Sequence, residues 1–274
     1  MPAITTNIAA NSAVYYLNIN SQQESSALSK LSSGSRITAA SDDAAGLAIS
    51  TRISSDITTL QQAATNAAQA NSILQTADGG ASNISDLLAR MKSLASESAS
   101  GTTVGTNNFI ESEFGELFSE IDSIASGTRY SGQSLLNGTG AFATGVTVLV
   151  GSSGSDTVNI SLSSLTTSAL FSGATPDVST QTGATSALAT LDTAITTVSN
   201  ARALIGAQES RFNFSASSIA TQTQNLQAAN SAIRDVDVAA EQAALSSAEV
   251  KTQAAVSAET AANQMPQFLL KLLG

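Results

Sequence analysis

Seven apolar residues, Leu191, Val198, Ile205, Phe212, Ile219, Leu226 and Ile233, recur without a break at every seventh position. Seven residues are just under two turns of α-helix, so all of them fall on one face. At 1.5 Å per residue the row runs for about 63 Å. A stripe of that length can be covered only by another long helix. The first half of the chain carries a candidate, because Leu60, Ala67, Leu74, Ala81, Leu88 and Ala95 keep the same interval while alternating large and small. Ile57, Ala64 and Asn71 read as its companion row, replaced further on by Ala77, Ile84 and Met91. In the later helix the companion positions are mixed, with Ala194 and Ala201 against Arg202, Glu209, Thr223 and Asn230. One full row beside an imperfect one predicts a helix that touches several neighbours. The seam residues on this reading are Leu60, Leu74, Leu88, Leu191, Val198, Ile205, Phe212, Ile219, Leu226 and Ile233.

Weaker helices flank these two. Residues 4–31 place Ile4, Ile8, Leu17, Leu28 and Leu31 among Ala, Ser and Asn, and residues 1–23 hold no charged side chain. A last helix over Val238 to Leu273 is Ala-rich, includes Leu245, Val250 and Val256, and ends Phe268-Leu269-Leu270-Lys271-Leu272-Leu273. Apolar faces of this kind are a liability when left exposed. Ile4, Ile8, Leu17, Leu28, Leu31, Val256, Phe268, Leu269 and Leu272 are therefore the candidate subunit-interface residues.

The punctuation between helices is legible. Ser32-Ser33-Gly34-Ser35 predicts a helix stop, and Ser41 an N-cap with Asp42 and Asp43 in the first turn. Asp235-Val236-Asp237 is a second break. Gly79-Gly80 is a weak point inside the first heptad helix, since glycine costs roughly 1 kcal/mol against alanine there. Gly101 to Asn108 reads as a turn, and Phe109 to Ile124 as a shorter helix. Residues 127–186 lose helical spacing, and Val146 to Val150 with Val158 to Leu162 predict a β-hairpin. The fold class is mainly α: long antiparallel coiled-coil-like helices forming a rod with N- and C-termini together, plus a small β-hairpin-containing central insert.

Composition removes most chemistry. A net charge of −10 and a pI near 4.3 argue against nucleic-acid binding, which needs a basic footprint. Without cysteine there are no disulfides or thiolate metal sites, and without histidine the commonest general base and metal ligand is missing. Asp42 and Asp43 are adjacent and diverge by about 100° on a helix, which suits a helix start and not a catalytic pair. No catalytic, cofactor-binding or metal site is expected. Met1-Pro2-Ala3-Ile4 lacks the basic and apolar regions of a cleaved secretory signal, and no apolar run approaches the ~20 residues that cross a bilayer.

One run of residues carries a resemblance. Leu31-Ser32-Ser33-Gly34, Arg36-Ile37 and Ser41, Asp42-Asp43-Ala44-Ala45-Gly46-Leu47-Ala48-Ile49 resemble the signature of bacterial flagellins. The likeness continues at Leu94-Ala95, Gly101-Thr102, Glu120-Ile121-Asp122, Asn137-Gly138, Ala187-Leu188 and Arg211-Phe212-Asn213, and ends in Ala262-Asn263-Gln264-Met265-Pro266-Gln267. The resemblance implies a structural subunit that polymerises into the flagellar filament for swimming, outside the cell and exported without a cleaved signal peptide. The alternative within the superfamily is a hook–filament junction protein. It further implies that residues 1–33 and 236–274 form an inner tube and 34–135 with 186–235 an outer tube. Residues 136–185 would be a short, variable, surface-exposed region of β and loop. Implied partners are further copies of the chain, an export chaperone, a filament cap and hook-associated proteins, with no nucleic acid and no membrane insertion. Arg90, Leu94 and Glu113 match positions read by an innate immune receptor, while Leu117 stands where many such flagellins carry a basic residue.

Ile219→Asp tests the seam, because it puts a carboxylate among apolar side chains at a cost on the order of 4 kcal/mol. The expected result is a lower melting temperature for the monomer and impaired filaments.

Overall fold

In a computed structural model of the chain, which describes residues 6–100 and 107–273, long helices dominate. They are α1 (Ile8–Ser33), α2 (Ala44–Ala99), α3 (Asn107–Gly127), α6 (Gln181–Arg234) and α7 (Val238–Leu273). Two helical turns, α4 (Ala141–Thr144) and α5 (Thr167–Leu170), and two hairpins lie between α3 and α6. The hairpins are β1 (Arg129–Tyr130) with β2 (Gln133–Ser134), and β3 (Val146–Leu149) with β4 (Thr157–Ile160). The chain divides into two compact units, Met1–Ser55 with Asn225–Gly274, and Asp56–Gln224.

In the second of these, α2 and α6 run antiparallel. Lys92 meets Asp192, Asp78 meets Arg202 and Asn71 meets Asn213, so the partner number rises as the α2 number falls. Leu60, Leu74, Leu88, Leu191, Val198, Ile205, Phe212 and Ile219 are all buried, as their spacing predicts. Leu226 and Ile233, further along, are half-buried.

The companion row matches its prediction at Ala77, Ile84 and Met91 and departs from it before them. Ala63, Ala70, Ala77, Ile84 and Met91 are buried in one continuous row, whereas Ile57, Ala64 and Asn71 are half-buried beside it. Steps of three or four from Leu60 are equally helical, and Ala stands at both 63 and 64. Spacing alone does not choose between them; the placement of the neighbouring elements does.

α2 passes through Gly79-Gly80 without a break. Gly79 faces solvent, but Gly80 is buried, and a β-carbon on it would lie 2.4 Å from Thr128 Oγ1 and 2.9 Å from Leu136 Cδ1. The second glycine is thus the notch that seats the chain leaving α3. α3 lies on α2 through Ile110, Phe114, Ile121 and Ala125, all part of one buried cluster with α2 and α6. Asp122 reaches from α3 to α5, accepting from the Thr167 backbone N–H at 2.8 Å and its hydroxyl at 2.6 Å.

The central segment contributes more to the core than its composition suggests. Ile160, Leu165 and Val178 are fully buried, and Ser98 at the end of α2 donates to the Val178 carbonyl at 2.6 Å. β3 and β4 pair antiparallel with Val146 opposite Ile160 and Leu149 opposite Thr157, within the predicted hairpin. The hairpin is tied to both heptad helices. Asn66 donates to the Leu149 carbonyl at 3.3 Å, and the Gln208 amide donates to the Ser161 carbonyl at 2.9 Å while accepting its N–H at 3.3 Å. The β1–β2 hairpin turns through Ser131 at φ 50° and Gly132 at φ 81°, the left-handed pair that a tight two-residue turn needs.

In the other unit α1 packs antiparallel on α7. Asn7 donates to the Ala262 carbonyl at 2.8 Å, Thr252 donates to Glu24 at 3.3 Å, and Lys30 lies 4.0 Å from Glu241.

The two glycines should respond oppositely to alanine. Gly79→Ala has open space around its new methyl and should gain about 1 kcal/mol from helix propensity. Gly80→Ala forces Thr128 aside and should lose about 1–2 kcal/mol net. Denaturant titration of the two variants checks the sign of each.

Candidate assembly surfaces

The stretch joining α1 to α2 is built from short polar side chains and one left-handed glycine. Gly34 ends α1 at φ 68°, a conformation that favours glycine. Ser35 then forms an isolated antiparallel bridge with Asp235, in the break between α6 and α7. The Arg36 N–H donates to the Arg234 carbonyl at 2.6 Å and the Val236 N–H to the Gly34 carbonyl at 3.1 Å. Arg36 adds a guanidinium bond to the Ile233 carbonyl at 2.8 Å. The two interhelix breaks are thereby held together by backbone groups, which satisfies amides that helix ends leave bare.

The start of α2 corrects the predicted cap. Ser41 does not cap it; Asp43 Oδ1 accepts from the Gly46 N–H at 2.8 Å and does so instead. Gly46 is required by this close fit, since a β-carbon there would lie 2.4 Å from Asp43 Oδ2 and 2.9 Å from Ile37 Cδ1. Asp42 stands before the helix, not in its first turn. Its Oδ2 accepts from the Ala39 N–H at 2.9 Å, the Thr38 hydroxyl at 3.0 Å and the Thr38 N–H at 3.1 Å. Those bonds, the Ala39 amide foremost, hold the Asp42 carboxyl below the ordinary carboxylate range. The break before α7 uses the same device, with Asp237 Oδ1 accepting from the Ala239 and Ala240 N–H groups.

The α1–α7 pair covers little of its own apolar surface. Ala27 is the buried residue of α1, and Leu245, Ala248, Ala255 and Ala262 are buried on α7. Ile8 is 68% exposed, Leu28 58% and Val256 45%, with Tyr15, Tyr16, Val250 and Met265 also exposed. Leu17 and Leu31 are half-buried. Ile4, and the side chains of Phe268, Leu269 and Leu272, lie outside the described residues. A groove of about 510 Å³ runs between the helices past Ala13, Tyr16, Asn20, Lys251, Ala254 and Ala258.

On the other unit, the Arg90 guanidinium grips Glu113 of α3, with Nε 2.9 Å and Nη2 2.5 Å from one carboxylate oxygen. Both side chains are exposed, but Leu94, one turn on, is buried in the core. Of the three residues matched by resemblance, two present their side chains to solvent. Beside the α2–α6 seam, Arg202 binds Asp78 through two bonds of 2.9 and 3.2 Å. Burial, and then the nearby Asp78 charge, raise the Glu209 carboxyl above its usual range.

Known proteins now bear on the chain. A model of the bacterial flagellin N-terminal helical region matches residues 4–141, and one of the bacterial flagellin C-terminal helical region matches 188–273. The chain belongs to the bacterial flagellin family. It is 35% identical over 272 residues to a flagellin of Halalkalibacterium halodurans, covering 98% of this chain and 99% of that one. A Listeria monocytogenes flagellin is also 35% identical, over 284 residues and the same shares. A "flagellar filament 30.7 kDa core protein" of Treponema maltophilum is 34% identical, again over 98% and 99%. The crystal structure of Bacillus cereus flagellin superposes with a TM-score of 0.52 at 29% identity, covering 61% of this chain and 94% of that one. A putative flagellar hook-associated protein from Vibrio parahaemolyticus shares the fold, with a TM-score of 0.59 at 14% identity over 70% and 99%.

The two flagellin matches take in the long helices, α6 from residue 188 onward, and leave the β3–β4 hairpin between them. The flagellin sequence motif from Leu31 to Ile49 is therefore explained physically by the Gly34 turn, the Asp42 loop and the Asp43–Gly46 cap.

Acid should loosen that loop. A carboxyl held low contributes stability that is complete above its unfolded pKa, about 4, and is lost as pH falls through the lowered value. Carboxyl NMR of the monomer should find the Asp42 midpoint below the ordinary carboxylate value, and Thr38→Ala should move it up.

Proposed function

We propose that this flagellin is a structural subunit of the filament whose terminal helices, residues 1–33 and 236–274, form the inner tube. Residues 34–135 and 186–235 form the outer tube, and 136–185 face outward. The observation that carries this is the α1–α7 pair, where Ile8, Leu28, Val250 and Val256 stand exposed along helices with few charges. Each exposed face of this kind favours burial by about 25 cal/mol per Å² of apolar area. Contacts between unlike surfaces of successive copies extend without closing and produce an open helical filament.

The role is structural and not catalytic, in keeping with a chain that lacks histidine and cysteine. The protein works outside the cell, leaves it without a cleaved signal, and meets an export chaperone, a cap and hook-associated proteins on the way. A hook–filament junction role is the weaker reading, since flagellin relatives match at 34–35% identity across nearly the whole chain. The exposed Arg90–Glu113 pair is where an innate immune receptor would meet the α2–α3 surface, with Leu94 beneath it.

Negative-stain electron microscopy after adding ammonium sulfate tests the assignment. The full chain should give long uniform filaments, and a chain lacking residues 1–33 and 236–274 should give none. A full chain that stays monomeric in the presence of filament seeds would favour the junction reading.

A further inference from the structure

We infer that the polar column beside the α2–α6 seam is a register lock, which gives each subunit a single alignment of its two long helices before it meets another copy. Apolar rows with a period of seven fit again after a slide of seven or fourteen residues. On α2 the large-to-small alternation of Leu60, Ala67, Leu74 and Ala81 resists a slide of seven, but returns to phase after fourteen. The apolar seam therefore leaves at least one wrong alignment open, and something else must reject it.

The polar residues that do so stand at one heptad position of α2: Asn71, Asp78 and Lys92. Their partners are Asn213, Arg202 and Asp192, the last with Lys92 Nζ 2.5 Å from its carboxylate. Slide α6 by seven in one direction and Asp78 faces Glu209, a second carboxylate, while Lys92 faces Ser199 and Asn71 faces Ala220. Slide it by seven the other way and Asp78 faces Ile195. After a slide of fourteen that carries Asp78 to Ala216, Lys92 faces Gly206. Of these alignments, only the observed one pairs both Lys92 with Asp192 and Asp78 with Arg202.

These ions are partly exposed, so each pair adds little to stability in its own right. Their effect lies in the difference between alignments, where a carboxylate meets either a cation or another carboxylate. Asn71 has the same character. Its amide donates to Asn213 at 2.7 Å, while its buried Oδ1 has no hydrogen-bond partner among the described residues. Asn71 is half-buried, and a seam Asn that costs stability while fixing register is the best-attested use of a polar residue between helices.

The chain has no cysteine, so two introduced thiols report on the helices without interference. Spin labels on Gln75→Cys and Ala189→Cys, both exposed sites, give one distance by pulsed electron paramagnetic resonance in the monomer. Exchanging the residues at two α6 positions, Arg202→Ala with Ala216→Arg, moves the cation by two heptads, to the alignment that the apolar rows leave open, at constant composition. The label distance should then lengthen by about 20 Å in a resolved fraction of molecules, the rise of fourteen residues. An unchanged single distance in the folded variant overturns the lock. If that variant does not fold, the reciprocal exchange decides. Asp78→Arg and Arg202→Asp should each lower the melting temperature, and their combination should recover most of the loss at the original distance. A combination as unstable as the sum of its parts overturns the inference. Neither readout requires filaments, so the outcome is independent of the assembly experiment.

Discussion

The antiparallel contact between α2 and α6 is the interaction on which the folded core depends. Each helix alone is a stripe of Leu, Ile, Val and Ala with few charges on its other faces. Helices in folded proteins owe little of their stability to propensity and most to the burial of such a stripe. Once the two are paired, the remaining elements find their places on them. The chain leaving α3 sits in the notch at Gly80, and the β3–β4 hairpin is tied to one helix by Asn66 and to the other by Gln208. The central segment then fills the side of the pair with Ile160, Leu165 and Val178.

Much of this was legible because long heptad rows are redundant signals. Leu60 to Leu88 and Leu191 to Ile219 needed no tertiary information, since each residue is confirmed by neighbours seven away. The first half of the companion row was not legible for the opposite reason. Ala at 63 and at 64 is the same residue on two adjacent faces, and only the position of the surrounding chain decides which is buried. Capping failed on similar grounds. Ser41, Asp42 and Asp43 are all good caps, and the fold chose Asp43 because Gly46 lets its carboxylate approach. Leu165 and Val178 were hidden by a background of Gly, Ser and Thr that has no period to read. Ser131-Gly132 was the available signal for the β1–β2 turn.

The surfaces are a different case from the core. The exposed faces of α1 and α7 follow from their residues, since Ile8, Leu28 and Val256 have too few apolar neighbours to bury them. What those faces meet does not follow from the residues; the family match makes the chain a flagellin, and further copies of the chain are the proposed occupants. Arg90 and Glu113 were singled out by resemblance alone. The structure gives them a local role, as a salt bridge joining α2 to α3, that spacing between distant segments does not reveal.

Burial on α1 is nearly confined to Ala27, and that has a thermodynamic consequence. A helix stabilised chiefly by surfaces on other molecules has no melting point of its own. Its folded fraction is a binding isotherm, rising with the concentration of chain ends offered to it. On the proposed assembly, growth and folding of this segment are one equilibrium: dilution unfolds it, and addition to a growing end folds it. The same few apolar side chains would then set both the critical concentration of the polymer and the stability of the helix.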